Sequence, residues 1–160
     1  MNSIFIHHRI VRFGECDPAG VVYYPVFFNW FHECMEAWFE QGLLHSYSKT
    51  IQEIGFPAKS CQASFFRPIQ MGMHISVALT ISELRSKSFA LQFQIYQEHL
   101  NETSILTNTE LVGTQLAEGQ VVCVGIGVQK GEFQFRPMPI PSFLHSKMKD
   151  YVQSSTTERA

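Results

Sequence analysis

The sequence predicts an α+β fold in which an antiparallel sheet wraps around one long, buried helix. Three observations carry this prediction. The run "PVFFNWFHECMEAWFEQ", Pro25 to Gln41, contains no internal glycine or proline and is apolar over most of its helical circumference. One strand-like segment precedes it, and four follow, rich in β-branched and aromatic residues. A strand, a long helix and then a series of strands is an α+β order.

Taken in sequence, "SIFIHHRIVRFGE" roughly alternates apolar and polar residues, the period of a half-buried strand. "GECDPAGVVYYP" then supplies a turn at Asp-Pro-Ala-Gly. The helix has Pro25 in its first turn and Gly42 as its stop, and it rises about 25 Å. Phe27, Phe28, Trp30, Phe31, Cys34, Met35, Trp38 and Phe39 leave only a thin polar stripe of Asn29, Glu33, Glu36 and Glu40. Such a helix belongs inside a core, not on a surface.

After the connection "YSKTIQEIGFP", the strand runs are "AKSCQASFFRP", "HISVALTISEL", "KSFALQFQIYQEHL" and "LAEGQVVCVGIGVQ", expected as a meander with reversals at "RSK" and "KGE". Residues 101–115 either extend two strands or form a surface excursion. "IPSFLHSKMKDYV" suits a terminal helical turn, and "QSSTTERA" is expected to fray. The division expected is a single domain over 1–146 and a polar tail over 147–160. A sheet curled round a helix buries both apolar surfaces but leaves strand edges to cover, so edge-to-edge association into a homodimer or homotetramer is expected. That architecture is the hotdog fold.

At 160 residues, with 45% apolar and 13% aromatic side chains, the chain has the material for one globular core. A net charge of −2 gives no electrostatic preference for nucleic acid or anionic membranes, while leaving local basic groups for a phosphorylated small molecule. No run approaches the roughly 18 apolar residues of a membrane span, and the N-terminus lacks a signal-peptide pattern. Cys16, Cys34, Cys61 and Cys123 are scattered without a Cys-x-x-Cys pair, which fits reduced thiols in a cytoplasmic protein. His7 and His8 point to opposite faces of a strand, and the remaining histidines have no ligand spacing, so no metal is assigned. There is no Gly-Xaa-Ser-Xaa-Gly elbow for an α/β-hydrolase mechanism.

"FGECDPAGVVYYPVFFNWF" (Phe13 to Phe31), with "CQASFFRP", "RSKSF" and a late "IP", resembles the 4-hydroxybenzoyl-CoA thioesterase family of hotdog enzymes over most of the chain. The resemblance implies hydrolysis of an acyl-CoA thioester without a metal or redox cofactor, at sites between subunits. It places the family's loop aspartate at Asp17 and the amide that polarises the carbonyl at Tyr24. It also assigns the basic segment that contacts CoA to Arg85 and Lys87. Arg136 in "FQFRPMPIP" is a third candidate handle, outside that segment. His32 stands where the 4-hydroxybenzoyl enzyme has an acidic residue near the ring hydroxyl. An imidazole can still donate or accept a hydrogen bond, so a hydroxyaryl group or another acyl chain would both fit.

Residue chemistry agrees with that assignment. Thioester hydrolysis needs an attacking oxygen and stabilisation of charge growing on the carbonyl oxygen. Asp17 can attack directly or deprotonate a water; the plainer reading is an Asx-turn acceptor. Gly20 allows tight backbone geometry, and the helix start offers unpaired N–H groups, with Tyr24 the donor just ahead of Pro25. The leading expectation is an aromatic acyl-CoA thioesterase. The alternatives are a short- or medium-chain aliphatic thioesterase, a hotdog hydratase or dehydratase, and a noncatalytic acyl-CoA-binding module.

Overall fold

The structure, a computed structural model, describes residues 2–98 and 113–154. The aromatic run folds as expected: α1 covers Val26–Ala37, with Pro25 as its N-cap. Beyond it the helix widens into a π-turn, Trp38–Gly42, in which the Leu43 N–H reaches the Trp38 carbonyl at 2.8 Å. Gly42 permits this because a β-carbon there would lie 2.5 Å from the Trp38 ring. Trp30, Phe31, Cys34, Trp38 and Phe39 are all fully or almost fully buried, as the apolar circumference requires.

β1 (Phe5–Ile10) precedes the helix, and a short helix α2 (Tyr47–Thr50) and strand β2 (Ile54–Gly55) follow it. Then come β3 (Ala58–Phe65), β4 (His74–Leu84), β5 (Ser88–Gln97) and β6 (Thr114–Val124). The five-stranded antiparallel sheet has the order β1-β4-β5-β6-β3. Only β4, β5 and β6 form a meander; β3 crosses to the far edge and pairs with β6, which corrects the simple four-strand meander. Crossing over puts a strand on each side of the meander and lets the sheet close around α1.

The run "LAEGQVVCVGIGVQ" also divides at Gly125. After it, β7 (Ile126–Gln129) joins β2 and β8 (Glu132–Pro137) in a separate three-stranded sheet. Gly125 donates to the Lys87 carbonyl and accepts from Met138, and a β-carbon there would lie 2.9 Å from the Met138 oxygen. The reversals at "RSK" and "KGE" lie where the sequence puts them, between β4 and β5 and between β7 and β8.

Residue 146 falls inside the last helix, α3 (Ser142–Met148), and the chain stays docked beyond it. Met148 is fully buried, Tyr151 packs on Trp38, and Val152 bridges to Ile81. Most of the 101–115 segment lies outside the described residues, as do residues 155–160; Thr114 and Gln115 open β6.

The helix meets the sheet closely at Phe31. Its ring stacks on Phe93 at 4.6 Å between centroids and lies directly over Gly119 of β6. A β-carbon at residue 119 would sit 2.3 Å from the Phe31 ring and 2.8 Å from the Gln62 carbonyl. Gly119→Ala is therefore expected to cost about 1–3 kcal/mol through overpacking. A thermal melt should show the midpoint falling by about 2–4 °C for each kcal/mol; an unchanged midpoint would contradict this contact.

Candidate active site

Between β1 and α1 the chain makes a tight hairpin. A 3-10 turn (Phe13–Glu15) leads into a Cys16–Val22 bridge, and the Asp17 N–H donates to the Val21 carbonyl at 2.9 Å. Gly20 closes the turn on the Asp17 carbonyl at φ +82°, a conformation that favours glycine. A β-carbon there would meet nothing within 4 Å, so the turn faces open space. The plainer reading of Asp17 is present: its Oδ1 accepts the Ala19 N–H at 2.8 Å. Among the described residues Oδ2 takes no hydrogen bond, so holding one oxygen in an Asx turn leaves the other available.

Tyr24 directly precedes the helix. Its carbonyl accepts the Phe27 N–H at 3.3 Å, while its own N–H donates to no group among the described residues. The ring is exposed and lies edge-on to Tyr23, 5.3 Å away. The orphan amide thus stands at the positive end of α1, two residues beyond Val22, which bridges to Cys16 beside Asp17. A cleft of about 390 Å³ opens beside it, lined by Val21, Tyr24, Phe27, Phe65 and Phe66.

A second, more enclosed pocket of about 290 Å³ runs along α1 between the helix and the β3–β6 side of the sheet. Phe28, Phe31, Phe56, Leu91 and Phe93 make it apolar, and His32 lines it. His32 Nε2 pairs with Glu36 Oε1 at 2.9 Å, one turn along the helix. The Tyr47 ring lies edge-on to His32 at 5.9 Å. Burial, then the nearby Glu36 carboxylate and Cys123, pushes the Tyr47 hydroxyl up to about 12, so it stays a neutral hydrogen-bonding group. Burial likewise pushes the Cys123 thiol up to about 12 and makes it an inert wall. Cys34, buried against the Val77 carbonyl, is raised further still.

The basic candidates lie elsewhere. β3 begins beside the end of β6 and the start of β5, and it finishes near Ala117. Asp17 and Tyr24 belong to the end where β3 finishes, because Val22 donates to Ile69 and Phe27 packs on Phe65. Arg85 and Lys87 occupy the β4–β5 turn at the opposite end. Arg136, on the exposed strand β8, is at that end too, two residues before Met138, which bonds Gly125. One chain therefore gathers Asp17, Gly20 and Tyr24 in one place and Arg85, Lys87 and Arg136 in another. Arg85 is already paired with Glu83 at 2.6 Å, whereas Lys87 makes no ion pair among the described residues.

A carboxylate absent from the sequence-based candidates organises the hairpin. Glu15 Oε1 accepts from Arg9 Nη2 at 2.8 Å and from the Trp30 indole at 2.9 Å, and its Oε2 accepts the Arg12 N–H at 2.7 Å. Burial alone would raise its pKa, but the Arg9 hydrogen bond, the Arg12 amide and the Trp30 N–H outweigh burial and hold it below the ordinary carboxylate range. Arg9 also lies over the Trp30 ring, 4.6 Å from its centroid. The two flanking histidines face apart, as strand alternation predicts: His7 pairs with Glu33 at 2.9 Å, while His8 meets Glu98.

Comparison with known proteins gives this arrangement a family. The family model described as "Thioesterase-like superfamily" matches residues 11–148. A 1,4-dihydroxy-2-naphthoyl-CoA hydrolase of Prochlorococcus marinus (strain NATL2A) is 32% identical over 107 residues, 61% of this chain and 69% of that relative. The 4-hydroxybenzoyl-CoA thioesterase of Pseudomonas sp. (strain CBS-3) is 32% identical over 96 residues, 58% of this chain and 67% of that relative. A solved gentisyl-coenzyme A thioesterase superposes with a TM-score of 0.72 at 26% identity, covering 89% of this chain and 98% of its own. With that match along most of its length, and with a helix enclosed by an antiparallel sheet, the chain belongs to the thioesterase-like superfamily of hotdog-fold, thioester-hydrolysing enzymes.

Proposed function

We propose that the protein hydrolyses an aromatic acyl-CoA, of the 4-hydroxybenzoyl-CoA kind, to the free acid and CoA. The observation that carries the reading is the apolar pocket of about 290 Å³ lined by Phe28 and His32, four and eight residues after the unpaired Tyr24 amide. Its mostly apolar, aromatic-rich walls suit an aryl group. His32, on the rim of that pocket, suits a ring hydroxyl as donor or acceptor. The named substrates of the relatives above are also aromatic CoA thioesters.

In this reading the Tyr24 N–H donates to the thioester carbonyl and stabilises negative charge as it grows there, a contribution of roughly 3–4 kcal/mol for one oxyanion donor. The unengaged Oδ2 of Asp17 attacks the carbonyl carbon to give a mixed anhydride, or takes a proton from a water that attacks. In the first route CoA leaves as the carbon–sulfur bond breaks, and a water then hydrolyses the anhydride to the free acid and restores Asp17; in the second, the water's oxygen displaces the sulfur directly. In both, the proton given up by the water balances the one taken up by the CoA sulfur. Gly20 keeps the turn free of a side chain where the substrate would approach.

The CoA phosphates require the basic groups at the other end of the sheet, which a second copy can supply. β3 is an edge strand and mostly exposed. A two-fold, antiparallel pairing of β3 with β3 sets the start of one strand beside the end of the other. Arg85, Lys87 and Arg136 of one copy then stand near Asp17 and Tyr24 of its partner, so the working enzyme is a dimer or an assembly of dimers. The location proposed is the cytoplasm, where acyl-CoA and the four free cysteines are both at home.

Asp17→Asn is expected to lower kcat for an aryl-CoA by about 10²–10⁴-fold, as loss of a general base or nucleophile does; free-thiol release at the wild-type rate would reject the assignment. Charge reversal of Arg85 and Lys87 together should raise KM for CoA esters and leave a small thioester lacking CoA unaffected. Equal effects on both substrates would count against a phosphate role. Co-expressing the Asp17→Asn chain with the charge-reversed chain should restore roughly a quarter of the wild-type sites, because each mixed dimer holds one intact site. No recovery in verified mixed dimers would argue that each site is built from a single chain.

A further inference from the structure

The proposed chemistry assigns no task to Glu15, yet Glu15 is the most heavily bonded side chain in the segment that carries the reaction. Its two oxygens receive three donors from three places: Arg9 on β1, the Arg12 amide of the 3-10 turn, and the Trp30 indole on α1. Its main chain adds a fourth tie, since the Glu15 carbonyl accepts the Tyr23 N–H at 3.0 Å. Asp17 is two residues after Glu15, and Tyr24 is the residue after Tyr23. We propose that Glu15 is a positioning residue that fixes the Asp17 hairpin against the start of α1, and so sets the spacing between the attacking oxygen and the carbonyl-polarising amide. This inference rests on the reading of Asp17 and Tyr24 given above.

The alternative, that Glu15 merely neutralises a buried arginine, leaves part of the geometry unused. Arg9 is itself under-satisfied: its Nε and Nη1 are buried without a hydrogen-bond partner among the described residues, and Glu33 is only a loose contact at 3.6 Å. Neutralising Arg9 would not require the Trp30 indole. That indole donor comes from the second turn of α1 and binds the same oxygen as Arg9, so the carboxylate joins strand, turn and helix at one point. A carboxylate fits because it accepts only; an amide would turn an N–H toward one of three donors. Displacements of about 1 Å in reacting groups can cost about 100-fold in rate, so a clamp at this point acts on turnover more than on binding.

Glu15→Gln tests this with an aryl-CoA substrate, assayed beside Leu144→Ala, which weakens the core at the fully buried Leu144 of α3 and lines neither pocket. The expected result is a fall in kcat of about 10- to 100-fold with KM within about 2-fold of wild type, while Leu144→Ala at a similar or lower melting point keeps its kcat. In the Asp17→Asn background, Glu15→Gln should cause little further loss, because the two act through one geometry. Should Glu15→Gln fail to fold, Trp30→Phe removes one clamp donor and keeps a ring in the core; its kcat should still fall by about 3- to 10-fold at unchanged KM. A folded Glu15→Gln or Trp30→Phe enzyme with full kcat would overturn the inference, as would equal kcat losses in Glu15→Gln and Leu144→Ala. Full turnover by Asp17→Asn alone would instead remove the site on which the inference stands.

Discussion

The structure depends on burying a helix that is apolar almost all the way round. Ordinary surface helices need cover on one side; α1 needs it on nearly all, and one chain of this length supplies it by curling a sheet around the helix. The crossing of β3 to the far edge completes that cover, and the glycine of β6 under Phe31 shows how close the two layers come. Burial stops at the ends of the helix. Its first amides are therefore left at the rim, and the rim is where an orphan donor and an aspartate turn can meet solvent and ligand.

The same constraint separates the proposed recognition elements. A helix running from one end of the sheet to the other places its N-terminus, with Asp17 and Tyr24, far from the β4–β5 turn with Arg85 and Lys87. A substrate with a small reacting head and a long phosphorylated tail suits that separation once two sheets lie edge to edge. In the proposed dimer the open edge of β3, an aggregation liability in a monomer, is the element that would assemble a whole site.

Much of the fold was legible in the sequence because it follows from local periodicity. Pro25, the aromatic run and Gly42 define the helix, alternation defines β1, and β-branched and aromatic content marks β4 and β5. Strand order was not legible, because nothing local to "AKSCQASFFRP" says that it pairs with β6 and leaves β4 to others. The break at Gly125 was also hidden: the residues on either side keep a strand-like pattern, and only contacts with Lys87 and Met138 redirect the chain. Asp17, Gly20 and Tyr24 were readable as a turn leading into a helix. Glu15 was not, since its value comes from Arg9 and Trp30, which the fold brings to it from either side. The one signal was its place in the same short motif as Asp17.

The proposed chemistry requires a single convergence, an acid oxygen and a backbone amide on either side of one carbonyl. A crystal structure of the wild-type protein with an unreactive hydroxyaryl-CoA ketone, in which a methylene replaces the thioester sulfur, tests it most directly. The expected result is the ketone oxygen within about 2.7–3.2 Å of the Tyr24 nitrogen, Asp17 Oδ2 facing the carbonyl carbon, and the ring lying along α1 toward His32. A ligand bound with its carbonyl away from the helix start, or with Asp17 engaged only in its own turn, would contradict it.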